Sequence, residues 1–103
     1  KGLKLGCHGI ITATCNVTAS LSRKVYEDFV NGSEQNSNEK LCEVRKIFEE
    51  YNLISAIHTF MAQVDNSYNN ILPPLSILND NDRKKLFEKL QKINFNISNS
   101  LAA

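Results

Sequence analysis

No apolar run in this chain approaches the roughly 18 residues that a membrane span requires, and its first residues lack the long apolar core of a secretory leader. The sequence therefore reads as that of a soluble protein with no membrane partner. A surplus of one charge is missing too: 12 Lys and Arg stand against 11 Asp and Glu. Lys4, Lys24, Lys40, Lys84 and Lys85 are interspersed with acids rather than gathered, which excludes a polyanion-binding surface and, with it, nucleic acid as a partner. Paired cysteines are also lacking. Cys7, Cys15 and Cys42 are odd in number and show no Cys-x-x-Cys spacing, which argues for reduced thiols in a cytoplasmic setting. Three glycosylation-type triplets, beginning at Asn16, Asn31 and Asn96, keep a secreted chain open as the alternative. Asparagine is frequent enough here for chance to supply such triplets. There is no internal repeat and no low-complexity linker.

What is present begins with Gly6 to Val17, which reads GCHGIITATCNV. A strand buried on both faces shows a short run of β-branched and small residues bounded by glycine, without polar alternation. Gly9 to Thr14 fits that pattern, with Gly6 and Gly9 marking the turn into it. Asn16, Thr18 and Ser20 supply capping chemistry for a helix on the far side. It is the one convincing strand in the sequence, and a strand by itself is a physical contradiction. Its backbone N–H and C=O groups need partners on both sides when buried. The chain also opens on Lys1 with no lead-in, so the expectation is a piece of something longer that supplies the neighbouring strands.

Downstream the apolar period becomes helical. Leu21, Val25, Phe29 and Val30 recur at helical spacing opposite Arg23, Lys24, Glu27 and Asp28, giving a helix of about Ser20 to Asn31 closed by Gly32. Asn36 and Glu39 resemble a capping box, and Leu41, Val44, Ile47, Phe48 and Tyr51 line the face of a second helix ending near Asn52. A third, more apolar helix carries Ile54, Ile57, Phe60, Met61 and Val64. Pro73 and Pro74 forbid helix just before them, so Ile71 to Leu78 reads as an extended tether on the helices. Asn79 or Asp80 then caps a last helix with Leu86, Leu90 and Ile93 buried and Phe87 alongside, and its acids precede its lysines as the helix dipole favours. The tail from Asn96 is polar and is expected to fray. The organisation is residues 1–32 as strand plus helix, and residues 33–103 as a three-helix extension.

Few side chains suggest chemistry. Cys7 and His8 are neighbours, so on a strand they point to opposite faces and make a poor start for a chelate. His58 has no His or Cys three or four residues away; the reading is no metal site. Thr12 and Thr14 serve either as β-formers or as active-site hydroxyls. Asn16 stands at the carboxyl end of the strand, where α/β sheets place ligands, and equally suits a helix cap. Glu39, Glu43, Glu49 and Glu50 read as a solvated face. No nucleophile–base pair, Gly-rich phosphate loop or convergent carboxylate pair is visible, so no self-sufficient catalytic site stands in this chain.

The run Leu5-Gly6-Cys7-His8-Gly9-Ile10-Ile11-Thr12-Ala13-Thr14-Cys15-Asn16-Val17 resembles the last barrel strand of the dihydrodipicolinate synthase and N-acetylneuraminate lyase family. Members commonly read leucine-glycine-alanine-x-glycine, two aliphatics, then small-x-asparagine-valine. The helix ending at Gly32, the long and short helices after it, the segment Leu72-Pro73-Pro74-Leu75 and the final helix with Arg83 near its start resemble the family layout over nearly the whole chain.

The resemblance implies an α/β fold, of which this is the carboxyl-terminal portion of a (β/α)8 TIM barrel: one strand followed by four helices, with the strand seated between the seventh and first staves. It also implies Schiff-base chemistry, in which a lysine captures pyruvate or another 2-oxo acid as an imine and a tyrosine relays protons, without a cofactor. Both residues belong to earlier strands, so no catalytic residue is nominated here. This chain would add the pocket wall or rim at Ala13, Thr14 and Asn16. Ala13-Thr14-Cys15-Asn16 is similar to the valine-threonine-alanine-asparagine of the synthase branch and lacks the serine of the sialic-acid lyases. The implied parent is a cytoplasmic lyase or aldolase, dimeric or tetrameric, most like 4-hydroxy-tetrahydrodipicolinate synthase. The alternatives are a 2-keto-3-deoxy acid aldolase, an N-acetylneuraminate lyase, or a non-catalytic all-helical interaction module.

Overall fold

Helices dominate the computed structural model, which describes residues 1–98. Four α-helices follow one another: α1 Cys15–Val30, α2 Ser37–Glu49, α3 Leu53–Met61 and α4 Asp80–Lys92, with short 3-10 turns at Leu3–Leu5 and Asn66–Asn69. Among the described residues there is no strand, which corrects the β-strand expected over Gly9 to Thr14. The reason is the one that made a lone strand implausible. No backbone N–H from His8 to Thr14 donates to a backbone carbonyl among the described residues, because none of those residues offers a sheet edge. The segment is irregular and open to solvent, with Ile10 68% and Ile11 106% exposed. The architecture is therefore mostly α.

Helix α1 starts earlier than the Ser20 expected from its stripe, yet it is two pieces. Thr18 (φ −125°, ψ 24°) interrupts the helical backbone, so a short turn over Cys15 to Val17 precedes the longer helix. The outward charges pair one turn apart, Arg23 to Glu27 at 2.7 Å and Lys24 to Asp28 at 3.2 Å. Such exposed i,i+4 pairs contribute about 0.3–0.5 kcal/mol each. The stripe is covered only in part, since Leu21 packs on the core while Phe29 and Val30 remain exposed.

The expected capping box at α2 does not form. Asn36 sits in the right-handed helical region (φ −77°, ψ −24°) and its side chain caps nothing, because a cap must be extended for its oxygen to reach the first free N–H groups. Asn52 and Asn79 do cap: Asn52 Oδ1 accepts from Ser55 N–H at 3.1 Å and Asn79 Oδ1 from Asp82 N–H at 2.8 Å. Helix α3 stops at Met61, short of Val64. It turns Ser55, Ala56, Ile57, Thr59 and Phe60 inward and leaves Ile54 and Val64, expected in its stripe, about half exposed.

The core joins α2, α3 and α4 with the first turns of α1. Phe48 meets Phe60 edge to face at 5.6 Å between centroids, and Phe60 stacks on Phe95 at 5.7 Å. Val17, Val44, Leu86 and Leu90 complete the packing. The tether runs over the helices as its prolines suggest. It is fixed where buried Thr59 accepts Leu78 N–H at 3.0 Å while donating to Ser55 O at 2.7 Å. Phe95 reaches the core by a Schellman turn: Asn94 takes a left-handed conformation (φ 54°), and Asn94 N–H and Phe95 N–H bond Gln91 O and Leu90 O, each at 3.0 Å. Of the tail from Asn96, Ile97 packs against the core; the expected fraying beyond Ser98 lies outside the described residues.

Candidate functional site

The three residues expected at the pocket rim occupy the junction between the open segment and α1. Overlapping turns build it: Cys15, Asn16 and Val17 donate their N–H groups to Thr12 O, Ala13 O and Thr14 O at 3.3, 3.1 and 3.0 Å. The chain thus begins to coil at the end of the run of β-branched residues. Ala13 and Asn16 are exposed, whereas Thr14 turns inward and is 4% exposed. Asn16 Nδ2 donates to Ala13 O at 2.9 Å, so its side chain ties down the turn rather than accepting from the free N–H groups of the helix. Beneath it Thr18 Oγ1 donates to Thr14 O at 3.0 Å and lies 3.5 Å from Ser22 Oγ. Ala13 and Asn16 are brought together on one outer turn, and Thr14 is a buried prop behind them. Thr12, the other candidate hydroxyl, is half-buried.

The other candidates lie apart. Cys7 and His8 are exposed on the open arm, and all three cysteines are free thiols. His58 Nδ1 is 2.9 Å from Tyr68 O and its ring meets the Tyr68 ring edge-on at 5.9 Å, which fastens the Asn66–Asn69 turn to α3. Among the described residues no group of three or more His, Cys, Asp or Glu side chains could hold a metal ion, and no helix is long and apolar enough to cross a membrane.

Two clefts lie away from the rim. One of about 450 Å³ is bordered by Tyr51, Asn52, Ser55, Leu78, Asn79 and Asp82, where α3 and α4 start; Asn52, Ser55, Asn79 and Asp82 are engaged in the two caps. The other, about 350 Å³, has Phe60, Phe87, Leu90 and Phe95 at its base. Neither lining includes a lysine, histidine or cysteine.

The displaced titrations belong to surface ties. Glu50 holds the Lys89 ammonium, raising its pKa, and that ammonium also lies 5.7 Å from the Tyr51 ring centre. The Arg45 guanidinium is likewise raised by its bond to Glu49. The Asp65 carboxyl is held below its ordinary value, first by Ser67 N–H and then by the Ser67 side chain. These ties fasten helices and turns; none reaches the rim.

The arrangement is thus an open apolar arm, a turn that gathers Ala13 and Asn16 on its outer side, and a set of packed helices behind it. Residues 1–93 match the family described as the dihydrodipicolinate synthetase family, and the chain belongs to that family. No curated protein and no solved structure matches it.

Proposed function

We propose that the chain is the carboxyl-terminal portion of a pyruvate-dependent lyase or aldolase working through a Schiff base, most like 4-hydroxy-tetrahydrodipicolinate synthase. The observation that carries this reading, beside the family membership, is the open segment Gly9 to Thr12. Its backbone is without strand partners and its two isoleucines are bare. In a (β/α)8 barrel those groups meet the first and seventh strands, and burial of each isoleucine contributes about 1.5–3 kcal/mol.

The chemistry then belongs to upstream strands. A lysine amine adds to the ketone of a 2-oxo acid such as pyruvate, water leaves, the imine forms, and a tyrosine moves the protons. No cofactor is needed. Ala13, Thr14 and Asn16 serve as the wall and rim of that pocket in a cytoplasmic dimer or tetramer. A 2-keto-3-deoxy acid aldolase or an N-acetylneuraminate lyase would use the same arrangement with a different substrate.

Borohydride trapping with labelled pyruvate tests the assignment. The longer gene product is labelled at a lysine and the 103-residue chain is not; labelling of the 103-residue chain at one of its own lysines refutes it. A second reading, an all-helical interaction module, is favoured by the buried core that the four helices form within this chain. Amide exchange separates the two, since strong protection of Ile10 to Thr14 in an isolated monomer contradicts the barrel reading.

A further inference from the structure

Two helices of this chain end in the same Schellman turn, and only one end is pinned. At α4 the residue after the left-handed position is Phe95, buried in the core. At α1 the corresponding bonds form, Gly32 N–H to Phe29 O at 3.2 Å and Ser33 N–H to Asp28 O at 2.7 Å. The residue after the left-handed Gly32 (φ 68°) is here the exposed Ser33, so the apolar contact that usually locks the motif is missing. The last turn of α1 also leaves Phe29 and Val30 37% and 61% exposed.

Asn31 stands in this unpinned turn, directly before the glycine. It is exposed, its side-chain amide makes no hydrogen bond among the described residues, and nothing lies within 4 Å of where a Gly32 side chain would begin. No other asparagine of the chain precedes a glycine. We infer that Asn31 is a site of spontaneous covalent modification, converting to aspartate and isoaspartate through a cyclic imide, and that opening of the last turn of α1 gates the reaction. Opening frees Gly32 N–H from Phe29 O, and hydroxide removes its proton. The Gly32 nitrogen then attacks Asn31 Cγ, closing a five-membered ring. The bond from Cγ to the side-chain nitrogen breaks, and that nitrogen leaves as ammonia. Water opens the imide at either carbonyl, giving aspartate or isoaspartate. One water enters, one ammonia departs and nothing is oxidised or reduced. The product places a carboxylate at a helix carboxyl end, which the helix dipole disfavours. Isoaspartate also lengthens the backbone inside the two-bond turn.

The test is incubation of the 103-residue chain at neutral and mildly alkaline pH, with intact mass, peptide mapping and isoaspartate detection. The same chain unfolded in urea is the reference. A gain of one mass unit mapping first to Asn31, ahead of Asn36 and Asn66 with their following serines, is expected. The conversion rises with pH, runs slower than in the unfolded chain and is lost in Asn31→Gln. Asn31 left intact over several half-lives of the unfolded reference, or conversion falling first on any other asparagine, overturns the site. Equal rates folded and unfolded overturn the gating.

Discussion

The amino-terminal arm and the helical core are built from the same kinds of side chain and meet opposite fates. Phe48, Phe60, Leu86 and Leu90 are sealed among the helices, while Leu5, Ile10 and Ile11 on the arm face solvent. The difference lies in the backbone. A helix satisfies its own N–H and C=O groups and needs a neighbour for only one stripe, so α2, α3 and α4, with Val17 and Leu21 of α1, complete one another. An extended segment needs neighbours for its backbone as well as for both faces, and none stands among the described residues. The radius of gyration, 14.6 Å, exceeds the roughly 13 Å of a compact domain of this length.

The contrast is broken most forcefully inside the core. Phe60→Ala removes the ring that touches both Phe48 and Phe95, and urea unfolding is expected to show a loss of about 3–5 kcal/mol. Thr59→Val strips the acceptor from Leu78 N–H, and the same experiment should read about 1–3 kcal/mol. Asn52→Ala, which deletes the cap of α3, is expected to cost about 1 kcal/mol, visible as a lower melting temperature. On the arm, Ile11→Ser should leave urea unfolding within about 0.5 kcal/mol of the parent; a large loss of stability there would erase the distinction between the two regions. The smallest effect is at Asp65. Because its carboxyl titrates below the ordinary value, its support for the Asn66–Asn69 turn is present above the ordinary carboxylate pKa and lost as pH falls through the lowered one. The Ser67 amide resonance should follow that acid midpoint with the global melt unchanged.

Helices were the legible part of the sequence, because a periodic stripe and a cap are both local signals. The tether and the start of α4 could be read from Pro73, Pro74 and Asn79, whereas Asn52, the cap of α3, was read only as the end of the helix before it. Gly9 to Thr14 has the composition of a buried strand, but composition states a requirement that only a partner fulfils. The Asn36 cap failed for a backbone reason that no side chain reveals. Phe95, unnoticed in the sequence, had a signal: asparagine just past the helix followed by an apolar residue is the Schellman pattern. Ala13, Thr14 and Asn16 were singled out as a rim through the family resemblance, which did not show that Asn16 would be engaged with Ala13 or that Thr14 would turn inward.

The chain contains no tryptophan and three tyrosines, and each tyrosine has a distinct neighbour. Tyr26 lies 5.7 Å from the Arg23 guanidinium, Tyr51 the same distance from the Lys89 ammonium, and Tyr68 beside His58. Intrinsic phenol fluorescence is therefore an unlabelled optical probe of α1, the α2–α4 tie and the Asn66–Asn69 turn. Replacing one ring at a time with phenylalanine would assign its light to each.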